Sequence, residues 1–223
     1  CKIVQYIKSR VSFLDKLPDG KIEFPGNLTV KTTYKVAQST IDIVIEASTD
    51  KTTLCNFTNH SYFNLDGTKN IANHQLMVEC DKVLPVDENG IPISGPIFAK
   101  DLDLDFKSGR TLNNNGNPIE VDHNFCISNT RQNLRRNAFV TAKNISLELF
   151  STEPGLQVYT GKGLNSGNEK IWGKYPYREF AGIALEPQIW PDAPNQIDFP
   201  NPLLQPGDKY KHHTRLKFSR TKI

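Results

Sequence analysis

The chain has 223 residues, with 27 Lys and Arg against 24 Asp and Glu and a net charge of +3. Charges of both signs are interspersed, which argues against a nucleic-acid surface, and no apolar run is long enough to span a bilayer. The length suits one sizeable core, and all-β units reach this size without dividing, so residues 1–223 are expected to form a single domain.

Cys1, Cys55, Cys80 and Cys126 form no C-x-x-C pair and no zinc-like spacing. Four scattered cysteines in a chain of this size read as free thiols in a reducing compartment, and the cytoplasm is the expected location. Four Asn-x-Ser/Thr tripeptides, at Asn27, Asn56, Asn59 and Asn144, pull weakly the other way. Residue 1 is Cys and the single Met is Met77, so the chain is expected to be a fragment or a processed product.

Taken in order, the first clear element is a strand with Leu28, Val30, Thr32, Tyr34 and Val36 on one face. A polar Gln38-Ser39-Thr40 turn separates it from a second strand lined by Ile41, Ile43, Ile45 and Ala47. Next comes a dense polar-aromatic cluster, Asn56-Phe57-Thr58-Asn59-His60-Ser61-Tyr62-Phe63-Asn64-Leu65. In a strand, Thr58, His60 and Tyr62 would share one face. Hydrogen-bonding groups beside aromatic rings suit a pyranose, whose rim carries hydroxyls and whose faces carry C–H patches.

Val121-Asp122-His123-Asn124-Phe125 follows, with Asp122 and Asn124 on one strand face and His123 on the other. An ionised Asp accepts from two adjacent hydroxyls, but taken alone Asp122 reads rather as a turn residue capping its own loop. Arg131, Arg135 and Arg136 are the nearest approach to a basic patch and read as a solvated loop. Ile145, Leu147 and Leu149 repeat the alternation, and Gln157 and Tyr159 share a face after the Pro154-Gly155 breaker. Glu186 ends the apolar run from Ala181 to Leu185; a carboxylate at the mouth of a buried strand has a raised pKa, which suits a general base. Pro187, Pro191 and Pro194 then predict a rigid loop without regular pairing. Thr214, Leu216 and Phe218 form a closing strand. Short strands with recurrent Gly and Pro turns, and no amphipathic helix of three turns, predict an antiparallel β-sandwich or barrel.

The runs Thr58 to Leu65, Asp122 to Phe125, Pro154 to Gly161 and Glu186 through Asn195 resemble the aldose 1-epimerase (galactose mutarotase) family in order and rough spacing. Phe199-Pro200, Leu204-Gln205-Pro206-Gly207 and Tyr210 also fit, so the resemblance spans nearly the whole chain. It implies an antiparallel β-sandwich of the galactose mutarotase type and interconversion of the α and β anomers of free hexoses such as glucose or galactose. It further implies that Glu186 is the general base, His60 the general acid, Asp122 a binder of sugar hydroxyls and Gln157 part of the pocket wall. No metal or organic cofactor is implied, and the partner is a small sugar rather than nucleic acid or membrane. The family also carries an Asn-Arg pair and a His followed by glycines upstream of these motifs; neither is present here. The N-terminal strands of the sandwich are therefore expected to be missing. The alternative is a truncated, non-catalytic sugar-binding domain.

Overall fold

Alternating apolar residues build nearly every long strand, because successive side chains in extended backbone point to opposite faces. The computed structural model describes residues 1–169 and 176–221. Strands β1 (Lys2–Ile7), β2 (Arg10–Leu17), β3 (Leu28–Ala37) and β4 (Thr40–Thr49) form a meander. The short strands β5 (Thr53–Leu54) and β6 (Tyr62–Phe63) lead to β7 (Gln75–Val78), β8 (Lys82–Val83), β9 (Ile97–Phe98) and β10 (Arg110–Thr111). A small hairpin, β11 (Asn113–Asn114) and β12 (Asn117–Pro118), precedes β13 (Asp122–Cys126), β14 (Arg135–Ala142) and β15 (Ile145–Ser151). The chain closes through β16 (Gly155–Tyr159), β17 (Ile183–Gln188), β18 (Leu203–Leu204) and β19 (Tyr210–Arg220). The described helices are single 3-10 turns, and none is long and apolar enough to cross a membrane.

Two antiparallel sheets carry the architecture. The larger has the order β1-β2-β3-β4-β19-β15-β14-β7-β10, and the smaller β6-β17-β16-β13-β8-β9. Ile43, Ile45, Val140, Leu147 and Leu149 of the first pack with Phe125, Leu156, Val158, Ile183 and Leu185 of the second in one continuous core. Each such buried side chain contributes roughly 1.5–3 kcal/mol relative to exposure. The expected antiparallel sandwich is therefore the observed one, rather than a closed barrel. Two-residue loops close β3–β4 at Gln38-Ser39 and β14–β15 at Lys143-Asn144, and both start with a left-handed residue that suits the strand twist.

The structure corrects three local expectations. In β3 only Leu28 and Val30 are fully buried on the core face, and Val36 is exposed. Thr33, on the opposite face, is buried instead, where its hydroxyl meets that of Ser12 at 2.9 Å. The segment before Tyr62 is not a strand: β6 begins only at Tyr62, and the preceding backbone is tied down by side chains. Pairing also persists through Pro187, which lies opposite Leu156 inside β17. This is tolerated because β6 pairs only with Ile183 and Ala184, leaving no donor required on that edge beside the proline. Arg131, Arg135 and Arg136 are not a solvated loop either. Arg131 pairs with the buried Glu153 at 2.8 Å, Arg135 donates to Ser128 Oγ at 2.6 Å, and Arg136 pairs with Glu79 and Glu148.

Strand β1 lies at the end of the larger sheet and exposes Ile3, Val4, Tyr6 and Ile7. An apolar edge with unpaired backbone groups is a template for another strand. Solutions of the 223-residue chain are expected to scatter light increasingly with concentration, and Val4→Lys to suppress this without changing the melting temperature.

Candidate functional site

The core-facing residues of the smaller sheet leave their neighbours pointing to its other face. On β17, Leu185 turns inward and Glu186 outward; on β16, Leu156 and Val158 turn inward and Gln157 and Tyr159 outward; on β13, Phe125 turns inward and Asp122 and Asn124 outward. Register then aligns them across the strands. Gln157 lies opposite both Glu186 and Asn124, and Tyr159 opposite Asp122. A polar, aromatic surface results over an apolar sheet.

His60 reaches this surface from the loop before β6. Its Nε2 stands 3.4 Å from Glu186 Oε1. The imidazole side chain is 52% exposed, while the Glu186 side chain is only 9% exposed. Burial pushes the Glu186 carboxyl above its ordinary range; the His60 charge pulls it back, and the Asp122 charge pushes it up again. Gln157 Nε2 donates to Asp122 Oδ1 at 2.7 Å, which fixes both side chains on the floor of the site. Gln157 Oε1 is buried and has no hydrogen-bond partner among the described residues. The four residues singled out by sequence thus stand together: His60 against Glu186, and Asp122 against Gln157.

Two tyrosines complete the wall. The Tyr62 ring lies 5.0 Å from the His60 ring, and edge-on to Tyr159 at 6.2 Å. Burial raises the Tyr62 phenol pKa, helped by Tyr159, Glu186 and Asp122. The Tyr159 hydroxyl accepts from the Gly163 amide at 2.6 Å. Sequence reasoning placed both tyrosines in the right segments without giving them a role; only the ring contacts show that they share the wall. His123 points to the other side of its strand, and burial lowers its pKa, in keeping with a structural residue.

Gly155 was expected as a turn breaker but opens β16 inside the sheet. A Cβ there would sit 2.5 Å from Asn124 Oδ1, 2.9 Å from Trp190 Cδ1 and 3.0 Å from the Gln188 carbonyl. Glycine is required by close approach rather than by a left-handed backbone. The Trp190 indole N–H donates to the Pro154 carbonyl at 3.1 Å, so the loop after β17 is drawn over this point. Among the described residues, no three His, Cys, Asp or Glu side chains cluster to hold a metal ion.

A family model described as aldose 1-epimerase matches residues 2–217. The chain belongs to the aldose 1-epimerase family. It is 36% identical to galactose mutarotase of Mus musculus over 221 residues, covering 96% of this chain and 64% of that protein. It is 33% identical to aldose 1-epimerase of Escherichia coli K12, covering 97% of this chain and 66% of that protein. A solved aldose epimerase homologue from C. elegans superposes with a TM-score of 0.90 at 27% identity, over 99% of this chain and 69% of its own. The chain therefore spans under two thirds of the length of these curated relatives, and the fold is that of the family's sandwich.

Two measurements check the electrostatics and the packing. In a carbon-detected NMR titration, Asp122→Asn is expected to lower the Glu186 midpoint, because a like charge is removed. His60→Gln is expected to raise it, because the opposing charge is lost. Gly155→Ala is expected to destabilise the fold by about 1–3 kcal/mol in urea unfolding, because the neighbours contacted include backbone.

Proposed function

We propose that the protein is an aldose 1-epimerase that interconverts the α and β anomers of a free aldohexose such as glucose or galactose. The observation that carries this reading is the 3.4 Å contact between His60 Nε2 and Glu186 Oε1. Two proton-transfer groups that touch one another serve two neighbouring oxygens of one ring, and mutarotation needs transfer at two: the anomeric hydroxyl and the ring oxygen.

Glu186 removes the proton from the hydroxyl on C1. The C1–O5 bond breaks as a carbonyl forms at C1, and His60 delivers a proton to O5. Rotation about C1–C2 turns the other face of the aldehyde to O5. The ring then closes with the roles reversed, so protons balance and nothing is consumed. Free Glu and His titrate near about 4.3 and 6.5, so ionised Glu and protonated His coexist between those values, and the raised Glu186 pKa narrows that window from its acid side. The raised pKa of Glu186 makes it a stronger base once ionised. Asp122 and Gln157 bind sugar hydroxyls; the unpartnered Gln157 Oε1 is an acceptor suited to one of them. Tyr62 and Tyr159 offer apolar surface to the C–H faces of the ring. We place this single-domain enzyme in the cytoplasm, acting on a small sugar in hexose metabolism.

Polarimetry of freshly dissolved α-D-glucose or α-D-galactose tests the reading. The protein is expected to speed the approach to anomeric equilibrium, and Glu186→Gln or His60→Asn to cut the rate by at least about 10²-fold. Full activity in Glu186→Gln would remove the base assignment. Sugar binding without any rate enhancement would favour the non-catalytic reading.

A further inference from the structure

The acid and the base sit on unlike pieces of the fold. Glu186 is held inside a strand, whereas His60 sits on a segment that makes no ladder until Tyr62. Sheet pairing holds only one side of this contact, since it stops at Tyr62 with Ala184, two residues short of both groups.

Asn56 and Ile189 provide a direct tie. Asn56 Oδ1 accepts from the Ile189 amide at 2.9 Å, and Asn56 Nδ2 donates to the Ile189 carbonyl at 3.1 Å. One side-chain amide thus imitates a strand partner, satisfying both backbone groups of a buried residue. Asn56 lies four residues before His60, and Ile189 three residues after Glu186. The bond pair joins the acid-bearing loop to the base-bearing strand. On its other flank the same loop is fastened at Phe57. The Phe57 amide donates to the Tyr210 hydroxyl at 3.2 Å, and His212 Nδ1 donates to the Phe57 carbonyl at 2.9 Å. Because a carbonyl can only accept, the proton sits on Nδ1, and the neutral ring's Nε2 accepts from Thr214 Oγ1 at 2.8 Å. Behind them, the Arg131 guanidinium stacks 4.5 Å from the Tyr210 ring and pairs with the fully buried Glu153. The loop is therefore anchored to the body of the sandwich at Phe57, and beside the catalytic strand at both of its ends: upstream through Asn56 and Ile189, and downstream through the pairing of Tyr62 with Ala184.

We infer that Asn56 is a positioning residue, whose paired hydrogen bonds to the Ile189 backbone set the spacing between His60 and Glu186. The inference rests on the proposed epimerase reading and adds to it a group that touches neither sugar nor reacting atoms. Asn56→Ala releases the upstream end of the loop from the segment after β17 while leaving the Phe57 anchors and the β6–β17 pairing in place. Misplacement of a catalytic group by an ångström costs up to about 10²-fold in rate.

Mutarotation kinetics and the Glu186 titration together provide the test. Asn56→Ala is expected to lower kcat by about 10- to 100-fold with KM changed less than about twofold, since positioning acts on the chemical step. Its Glu186 midpoint is expected to rise as the His60 charge moves away, with Asp122 and Tyr62 still facing the carboxylate. Asn56→Asp keeps an acceptor for the Ile189 amide but loses the donor, and is expected to fall between wild type and Asn56→Ala on both readouts. Asn27 is a matched control: its side chain also makes two bonds, to Asp50 and the Asp19 amide, and contacts neither catalytic group. Asn27→Ala is expected to lower stability without moving kcat or the Glu186 midpoint. An Asn56→Ala protein with wild-type kcat and an unmoved midpoint would overturn the inference. If the wild-type protein does not accelerate mutarotation, the proposed function fails, and the titration midpoint alone still decides the role of Asn56.

Discussion

A carboxylate withdrawn from water and held against an imidazole is the contact on which the site depends. Glu186 is nearly buried, and a buried charge is costly unless a partner and hydrogen bonds offset it. His60 stands on the solvent side at contact distance and half exposed, where its ring, when protonated, opposes the Glu186 charge. Asp122 works in the other direction, keeping the Glu186 pKa up. Glu186 is thus balanced between two neighbours, and its proton affinity is a property of all three groups rather than of one residue.

That balance is possible because the smaller sheet does two jobs with one alternation. Leu156, Val158, Ile183 and Leu185 close the core, so their sequence neighbours Gln157, Tyr159 and Glu186 turn to the other face. Antiparallel register then brings Asn124, Gln157 and Glu186 into one row. A slip of one residue on any of these strands would move the polar groups into the core and the apolar ones into the site. Gly155 shows how tight the arrangement is, since even one added methyl would collide with a side chain and a backbone carbonyl.

His60, the proposed acid, comes from irregular chain, and irregular chain must satisfy its backbone elsewhere. Around His60 this falls to Asn56, Tyr210 and His212, which bond the backbone of Phe57 and Ile189. A buried ion pair, Arg131 with Glu153, lies behind Tyr210. These paired groups narrow the loop to few arrangements, where apolar contact alone would permit several, although Thr58 Oγ1 in the same segment is buried without a hydrogen-bond partner among the described residues.

Period-two runs such as Ile41 to Ala47 and the pairing of Asp122 with Asn124 on one face were legible in the sequence, because alternation in extended backbone is a local property. So was the gathering of His60, Asp122, Gln157 and Glu186 into polar segments, and the family resemblance that these segments carry. The sequence could not show that β17 continues through Pro187, because that depends on where its neighbour β6 ends. Nor could it show that Gly155 answers a close approach rather than a turn, or that Arg131 and Arg136 are spent on ion pairs. Asn56 lay inside a recognised cluster, yet its tie to Ile189 bridges 133 positions. Spacing along the chain determined which residues share a strand face; only the folded sheets decided which strands meet, and so which distant side chains come within hydrogen-bond reach of one another.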